Sequence, residues 1–279
     1  MISRASWIHI FCISIIFILF IAAYYDVLSW MYGRYVSSDS YYSHGFIIPF
    51  ISGFLIWRKR EELKGKKAES SCWGLLLIIF SILLHLFGTA IYVFSISGFS
   101  IFFLVLGLSL FLFGREITRI ILFPLIFLVF MFPLPMAVIS LISFPMKMLV
   151  VKTGAWIAAL LGVPVNREGF NIIIPAGNLL VGNPCSGLRS LISLLALGSL
   201  YAYLSDLSVV KQWLLVFLTI PIALLSNIIR VPILILISHY WGLAAAARDS
   251  FWHDASGFFV FVIAIILLFY TSRLLKWSV

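Results

Sequence analysis

Charge is what this sequence has least of. Asp, Glu, Lys and Arg make up 10% of its 279 residues, against about a quarter in a soluble globular domain. Set beside 63% hydrophobic residues, that shortage excludes an ordinary water-soluble fold. Cysteine is also scarce. Cys12, Cys72 and Cys185 show neither the short ligand spacing of a zinc site nor a disulfide framework. Cys12 falls inside the first apolar run and Cys72 beside a basic loop, and both read as structural. No HExxH motif is present, which excludes the usual zinc-protease helix. No pair of aspartates lies inside an apolar run, which removes an intramembrane aspartyl dyad. The residues call for no metal and no other cofactor. The first apolar run lacks a small-residue cleavage site, so it is expected to remain as an anchor. No internal repeat is visible, which weighs against the repeat-built transporters.

What is there is a series of apolar runs near or above the length that spans lipid. The net charge of +9 would suggest nucleic acid in a soluble protein. Here the positive-inside rule accounts for most of it, and no nucleic-acid partner is expected. Trp7 to about Tyr25 is the first span, with Arg4 placing the N-terminus inside. Ser43-His44-Gly45 opens a second span that ends near Trp57. The cluster RKREELKGKK, Arg58 to Lys67, reads as an inside signal rather than a nucleic-acid site. Trp73 to Val93, Gly98 to Phe113 and Ile120 to Phe132 follow. His85 inside the third span reads as a hydrogen-bonded histidine within the bundle. Met136 to Leu161 is apolar but interrupted by Lys147, Lys152 and Pro145. It is expected to be an amphipathic or re-entrant helix on the outer face. Two β-rich runs, Phe170 to Ile174 and Leu179 to Val181, flank Pro175-Ala176-Gly177-Asn178 and predict a hairpin. Arg167 and Glu168 are expected to pair there. Cys185 to about Tyr203 runs inward, Gln212 to Arg230 returns outward, and Val231 to Arg248 is expected to be a broken outer stretch. Ala255 to about Tyr270 is the last span, and Arg273 and Lys276 hold the C-terminus inside. The expected fold class is therefore an all-α polytopic integral membrane protein. It has about eight transmembrane helices, a short β-hairpin, and re-entrant or amphipathic helices on the outer face, in a single domain over residues 1–279.

This topology brings three chemically competent groups to one depth. Asn183 suits an N-cap and Pro184 the first helical position, which puts Cys185 in a first turn. Unpaired backbone N–H groups there favour an anion and lower a thiol's pKa from about 8.5. Arg189, four residues on, adds positive charge on the same face. Arg230 ends the return span, with Asn227 on the same face, and His253 begins the last span. A thiolate, an imidazole and a guanidinium suffice for acyl transfer. Cys185 attacks a carbonyl, His253 carries the protons, and Arg230 stabilises the oxyanion or thiolate. Plainer readings stand beside each. Cys185 can be a small packed cysteine, Arg230 a snorkelling helix end, and His253 with Trp252 an interfacial anchor. His44 and His239 also lie near the outer face and can replace His253 as the base. Asp254 can orient His253, although neighbours at a helix start point apart.

Several stretches together resemble the exosortase/archaeosortase family of membrane transpeptidases, the exosortase branch most closely. They are YSHGFIIPFISGFLIWRKR from Tyr42, FPLPM at Phe132 to Met136, and LGVPVNREGFNIIIPAGNLLVGNPCSGLRSLISLLALGSLYAYL from Leu161. SNIIRVPILI from Ser226 and WHDASGFFVF from Trp252 complete the set. The resemblance runs from Tyr42 to about Phe261. It implies that the cysteine of CSGLRS, the arginine of N-x-x-R and the histidine of H-D-x-x-G form the catalytic set, which carries to Cys185, Arg230 and His253. Ser186 and Gly187 stand in the same CSGLRS stretch as supporting residues. The chain departs from the family at Asn183-Pro184, where an acidic residue and alanine are more usual. That bears on substrate preference or subfamily and leaves the nucleophile in place.

The resemblance also implies the partners. They are membrane-anchored proteins with a C-terminal sorting tail: a short motif such as Pro-Glu-Pro, one transmembrane helix and a basic end. Cleavage would take place at the outer face of the bacterial cytoplasmic membrane, in exopolysaccharide-producing bacteria, with both termini cytoplasmic. An amine, or a lipid or polysaccharide, would accept the acyl group. The alternative from another class is a membrane transporter or carrier of a lipid-linked or anionic substrate held by Arg230 and the histidines.

Overall fold

The computed structural model describes residues 4–37, 40–180, 187–247 and 249–277. Its contacts divide the chain into two compact units. The first is Met1–Ser37 with Gly45–Pro133, and the second is Ser38–His44 with Leu134–Val279.

The first unit is helical. It contains α1 (Arg4–Val36), α2 (Ile48–Arg58), α3 (Arg60–Leu63), α4 (Cys72–Ala90), α5 (Phe94–Ile120) and α6 (Leu122–Phe127). Gly114, at φ 80° and ψ −176°, breaks α5. The stretch after it is a further helical segment. In α4 and α5 the polar side chains turn to each other. His85 Nδ1 lies 2.5 Å from Ser97 Oγ, as the sequence reading of a satisfied histidine requires. Tyr24 and Ser100 share a hydrogen bond of 2.8 Å, and Ser81 donates to the Ser100 carbonyl at 2.7 Å. The basic cluster after α2 is laced with acids: Lys59 with Glu62, Lys64 with Glu61, and Lys66 with Glu116.

The second unit holds α7 (Met136–Leu160), strands β1 (Asn166–Glu168), β2 (Asn171–Ile174) and β3 (Gly177–Leu180), then α8 (Leu188–Leu204), α9 (Val209–Trp241) and α10 (Phe251–Trp277). The strands form an antiparallel sheet in the order β1-β2-β3 among the described residues. Ile172 pairs with both Arg167 and Leu179. The hairpin foreseen in the sequence is thus β2–β3, with Asn166–Glu168 added as a third strand. Ile172 and Ile174 turn inward, two apart as strand geometry demands, and pack with Val163, Ile235, Ile237 and Ala246 in one apolar core. Arg167 donates to the Gly169 carbonyl at 3.1 Å instead of pairing with Glu168. Adjacent strand residues face opposite ways.

Among the described residues, six helices are long and apolar enough to cross a membrane: α1 from Ser14, α4, α5, α7, α9 and α10. Leu122–Met131 and Leu188–Leu204 are shorter apolar helices. The architecture is that of an all-α polytopic membrane protein with a small sheet.

Two sequence expectations are corrected here. Met136–Leu160 is one continuous helix that runs through Pro145, long and apolar enough to cross a membrane. Its exposed residues include Leu141, Phe144, Trp156 and Leu160. Lys147, which suggested a polar face, places its ammonium 3.9 Å from the Phe170 ring centre. The second correction is that α9 does not end at Arg230. It continues through Pro232 to Trp241. Proline removes a helical donor, yet apolar helices keep it where neighbours pack closely. Gly154 of α7 supplies that packing, since a Cβ there would lie 2.5 Å from Val231 Cγ1 and 3.3 Å from Pro232 Cδ.

Candidate active site

The site begins with a polar stripe in an otherwise apolar helix. Asn227 and Arg230 lie three apart on α9 and so share a face. Both are buried, at 1% and 9% exposure. A buried guanidinium is costly unless its donors are used. Here Nε donates to Ser256 Oγ at 3.3 Å, and Nη2 donates to the His253 carbonyl at 3.2 Å. Ser256 in turn donates to the same carbonyl at 2.7 Å. Arg230 is therefore clamped to the first turns of α10. With burial at 9%, it does not snorkel from a helix end.

His253 sits in that first turn. Its backbone N–H donates to Ser250 Oγ at 3.2 Å, the bond of a helix N-cap. Its ring Nδ1 lies 3.3 Å from the Ala246 carbonyl oxygen. A carbonyl only accepts, so Nδ1 carries the proton, and in the neutral ring Nε2 keeps the lone pair. The ring is 8% exposed, which removes the interfacial-anchor reading. Trp252 is exposed and stacked on Trp241 at 5.7 Å and 15°. Asp254 is exposed, and Nδ1 is given to Ala246 rather than to its carboxylate.

Asn227 connects this pair to α8. Gly187 is the N-cap of α8, at φ 80°. A Cβ on it would come within 2.7 Å of Asn227 Cγ, so only glycine satisfies both the left-handed backbone and the close approach. The helix as described starts at Leu188. A backbone at φ 80° is not helical. Asn183, Pro184, Cys185 and Ser186 lie outside the described residues. Cys185 precedes Gly187 by two positions in the chain.

The remaining candidates fall in two places. Arg189 occupies the first turn of α8. Burial raises the Tyr41 phenol above its ordinary pKa, while the Arg189 charge lowers it. His44 lies along the same helix, with Nδ1 3.3 Å from Ser193 Oγ. Ser193 is four residues after Arg189 and so on its face. Residues 40–44 are thus a strap along the start of α8. The strap is pinned at Tyr42, whose hydroxyl accepts from Leu134 N–H at 3.1 Å. His239 is further along α9, its ring edge against Tyr240 at 4.9 Å. Among the described residues, no cluster of three or more His, Cys, Asp or Glu is placed to hold a metal ion. Ser256, Ser250 and the Ala246 carbonyl were missed by the sequence reading. The one available signal was Ser250 and Ser256, each three residues from His253.

The family model described as transmembrane exosortase (Exosortase_EpsH) matches residues 35–270. The chain belongs to the transmembrane exosortase family. The match runs from the end of α1 into α10 and includes every residue of the site. Neither the curated proteins nor the solved structures gave a match. Exosortases are membrane proteins with a transpeptidase, sorting-related role, and this chain is a multi-pass member of that class.

Proposed function

We propose that this exosortase cleaves C-terminal sorting tails through a thioester on Cys185. The Cys185 thiol gives its proton to His253 Nε2, and the sulfur attacks the scissile carbonyl carbon. Negative charge collects on the carbonyl oxygen, where Arg230 stabilises it. His253 returns the proton to the amine nitrogen as the C–N bond breaks, leaving the thioester and the freed tail. An incoming amine, or water, then loses a proton to Nε2 and attacks the thioester. The C–S bond breaks and the thiol is restored by that proton. The substrate is a membrane-anchored protein whose tail carries a short motif of the Pro-Glu-Pro kind, one transmembrane helix and a basic end. The reaction is assigned to the outer face of the bacterial cytoplasmic membrane, with both chain termini inside. Packing the tail helix beside the enzyme in the bilayer supplies proximity.

One observation carries this reading. A buried arginine from α9 is bonded to Ser256 and to the main-chain carbonyl of His253, the residue that carries the buried imidazole of α10, and Asn227 on the same face packs on Gly187, two residues after the family's cysteine.

The test is co-expression with a tail-bearing protein from the same genome, followed by intact mass. Wild type should remove the tail, and Cys185→Ala should leave it whole. Equal processing by both would remove Cys185 as the nucleophile. The mass of the new C-terminus separates hydrolysis from transfer to an acceptor.

A further inference from the structure

We propose that the turn between α9 and α10, braced by the small sheet, is the orienting element for His253, and that Ser250 is its positioning residue. This rests on the reading of His253 as the acid and base. In a hydrolytic triad a carboxylate usually fixes the imidazole tautomer. Here the adjacent carboxylate, Asp254, is exposed, and the ring faces a main-chain carbonyl.

The construction can be followed bond by bond. The 3-10 turn Leu243–Ala246 follows Gly242, the cap of α9. Ala246 is buried in the apolar core that contains Ile172 and Ile174 of β2 and Val163. Leu243 lies over β3, where a Cβ on Gly177 would meet Leu243 Cδ1 at 2.7 Å. The turn is therefore set against the sheet at two points. Ser250 ties its other side to α10. Its hydroxyl donates to the Ala245 carbonyl and accepts the backbone N–H of His253. A hydroxyl is both donor and acceptor, so one serine fixes the peptide that precedes Ala246 and the helix turn that bears the ring. The Ala246 carbonyl then accepts from Nδ1 at 3.3 Å. The result leaves the Nε2 lone pair as the basic position. The sheet acquires a purpose that the exposed outer side chains of Asn171 and Asn178 do not suggest. It is the rigid bed on which the imidazole's partner lies.

The experiment uses the full chain in lipid nanodiscs with 15N-histidine, assigned by comparison with His253→Gln. Nitrogen shifts, read where the ring is neutral, report which nitrogen is protonated. Wild type should show His253 protonated at Nδ1. Ser250→Gly keeps a competent helix N-cap, since glycine is well tolerated at that position. It removes the hydroxyl, and should give a mixture of tautomers with kcat reduced about 10–100-fold and KM unchanged, the scale of lost supporting bonds around a reactive imidazole. Ser250→Thr retains donor and acceptor, and should restore both the shifts and kcat. An Nε2-protonated His253 in wild type overturns the proposal. So does a Ser250→Gly variant with unchanged shifts, or one with mixed tautomers and undiminished kcat. If wild type processes no tail while the tautomers follow the expected pattern, the cleavage reading fails and the orienting bond stands.

Discussion

The two units bury polar groups in different ways. In the first unit, Tyr24, Ser81, His85, Ser97 and Ser100 bond among themselves and to one another's carbonyls. All are neutral or able to be neutral, and three of the four bonds join packed helices. In the second unit a permanent cation, Arg230, is buried with an imidazole, and both are held by the start of α10. A polar group in an apolar surrounding needs only a partner. A buried charge needs several, which makes it a poor choice for packing alone. The contrast separates a histidine that joins helices from one arranged for chemistry.

The largest effect should come from breaking the charged cluster. Arg230→Gln is expected to lower kcat for tail removal by about 10²–10³-fold, the usual cost of losing one oxyanion donor. Arg230→Lys should not rescue it, because a single ammonium cannot reach Ser256 and the His253 carbonyl in the same fork. The matching change in the first unit, His85→Gln, should leave kcat within about threefold while lowering thermal stability by about 1–2 kcal/mol. Processing rates and melting curves of both variants in the same detergent would decide. If His85→Gln harms turnover as much as Arg230→Gln, the distinction between the units collapses.

A smaller effect tests the link between α8 and α9. Gly187→Ala forces a side chain into the left-handed region and against Asn227. It should cost about 1–2 kcal/mol in backbone strain, plus the collision. Asn227→Ala removes the obstructing amide, so the double variant should recover part of the loss. A coupling above about 0.5 kcal/mol in thermal stability would establish the contact. Strict additivity would deny it.

Much of this was legible in the sequence because the relevant rules are local. Asn227 and Arg230 share a face by helical spacing alone, and His253 stands at the start of an apolar run. The class of fold followed from the length and composition of those runs. What failed were judgements that depend on a neighbour. Pro232 and Pro145 read as breaks, yet α9 and α7 run through them, and for α9 the packing against Gly154 is supplied by a distant stretch of chain. Lys147 read as a polar face until Phe170, from the turn between β1 and β2, gave its charge an aromatic partner. Likewise Arg230 read as a helix end because its partners, Ser256 and the His253 carbonyl, lie on another helix. Asp254 attracted attention through adjacency, whereas the atom that faces Nδ1 is a carbonyl, which no residue type announces.

The smallest effect concerns the strap that carries His44. Burial pushes the Tyr42 phenol up to about 12, opposed by the Leu134 N–H that donates to it. An unfolded tyrosine ionises near 10. Below that value both states are protonated and the contribution of Tyr42 to stability is intact. As pH rises from about 10 to about 12, the unfolded state ionises first, and stability falls by up to about 2–3 kcal/mol. Tyr42→Phe should flatten part of that alkaline decline; the rest belongs to groups such as Tyr41, whose phenol burial also raises. Below pH 10 the same change should cost about 1 kcal/mol, because Leu134 N–H loses its acceptor. Denaturation followed from pH 8 to 12 would show the two curves converging and then crossing as pH rises. Parallel curves would mean that Tyr42 does not anchor the strap, and that His44 reaches Ser193 by some other support.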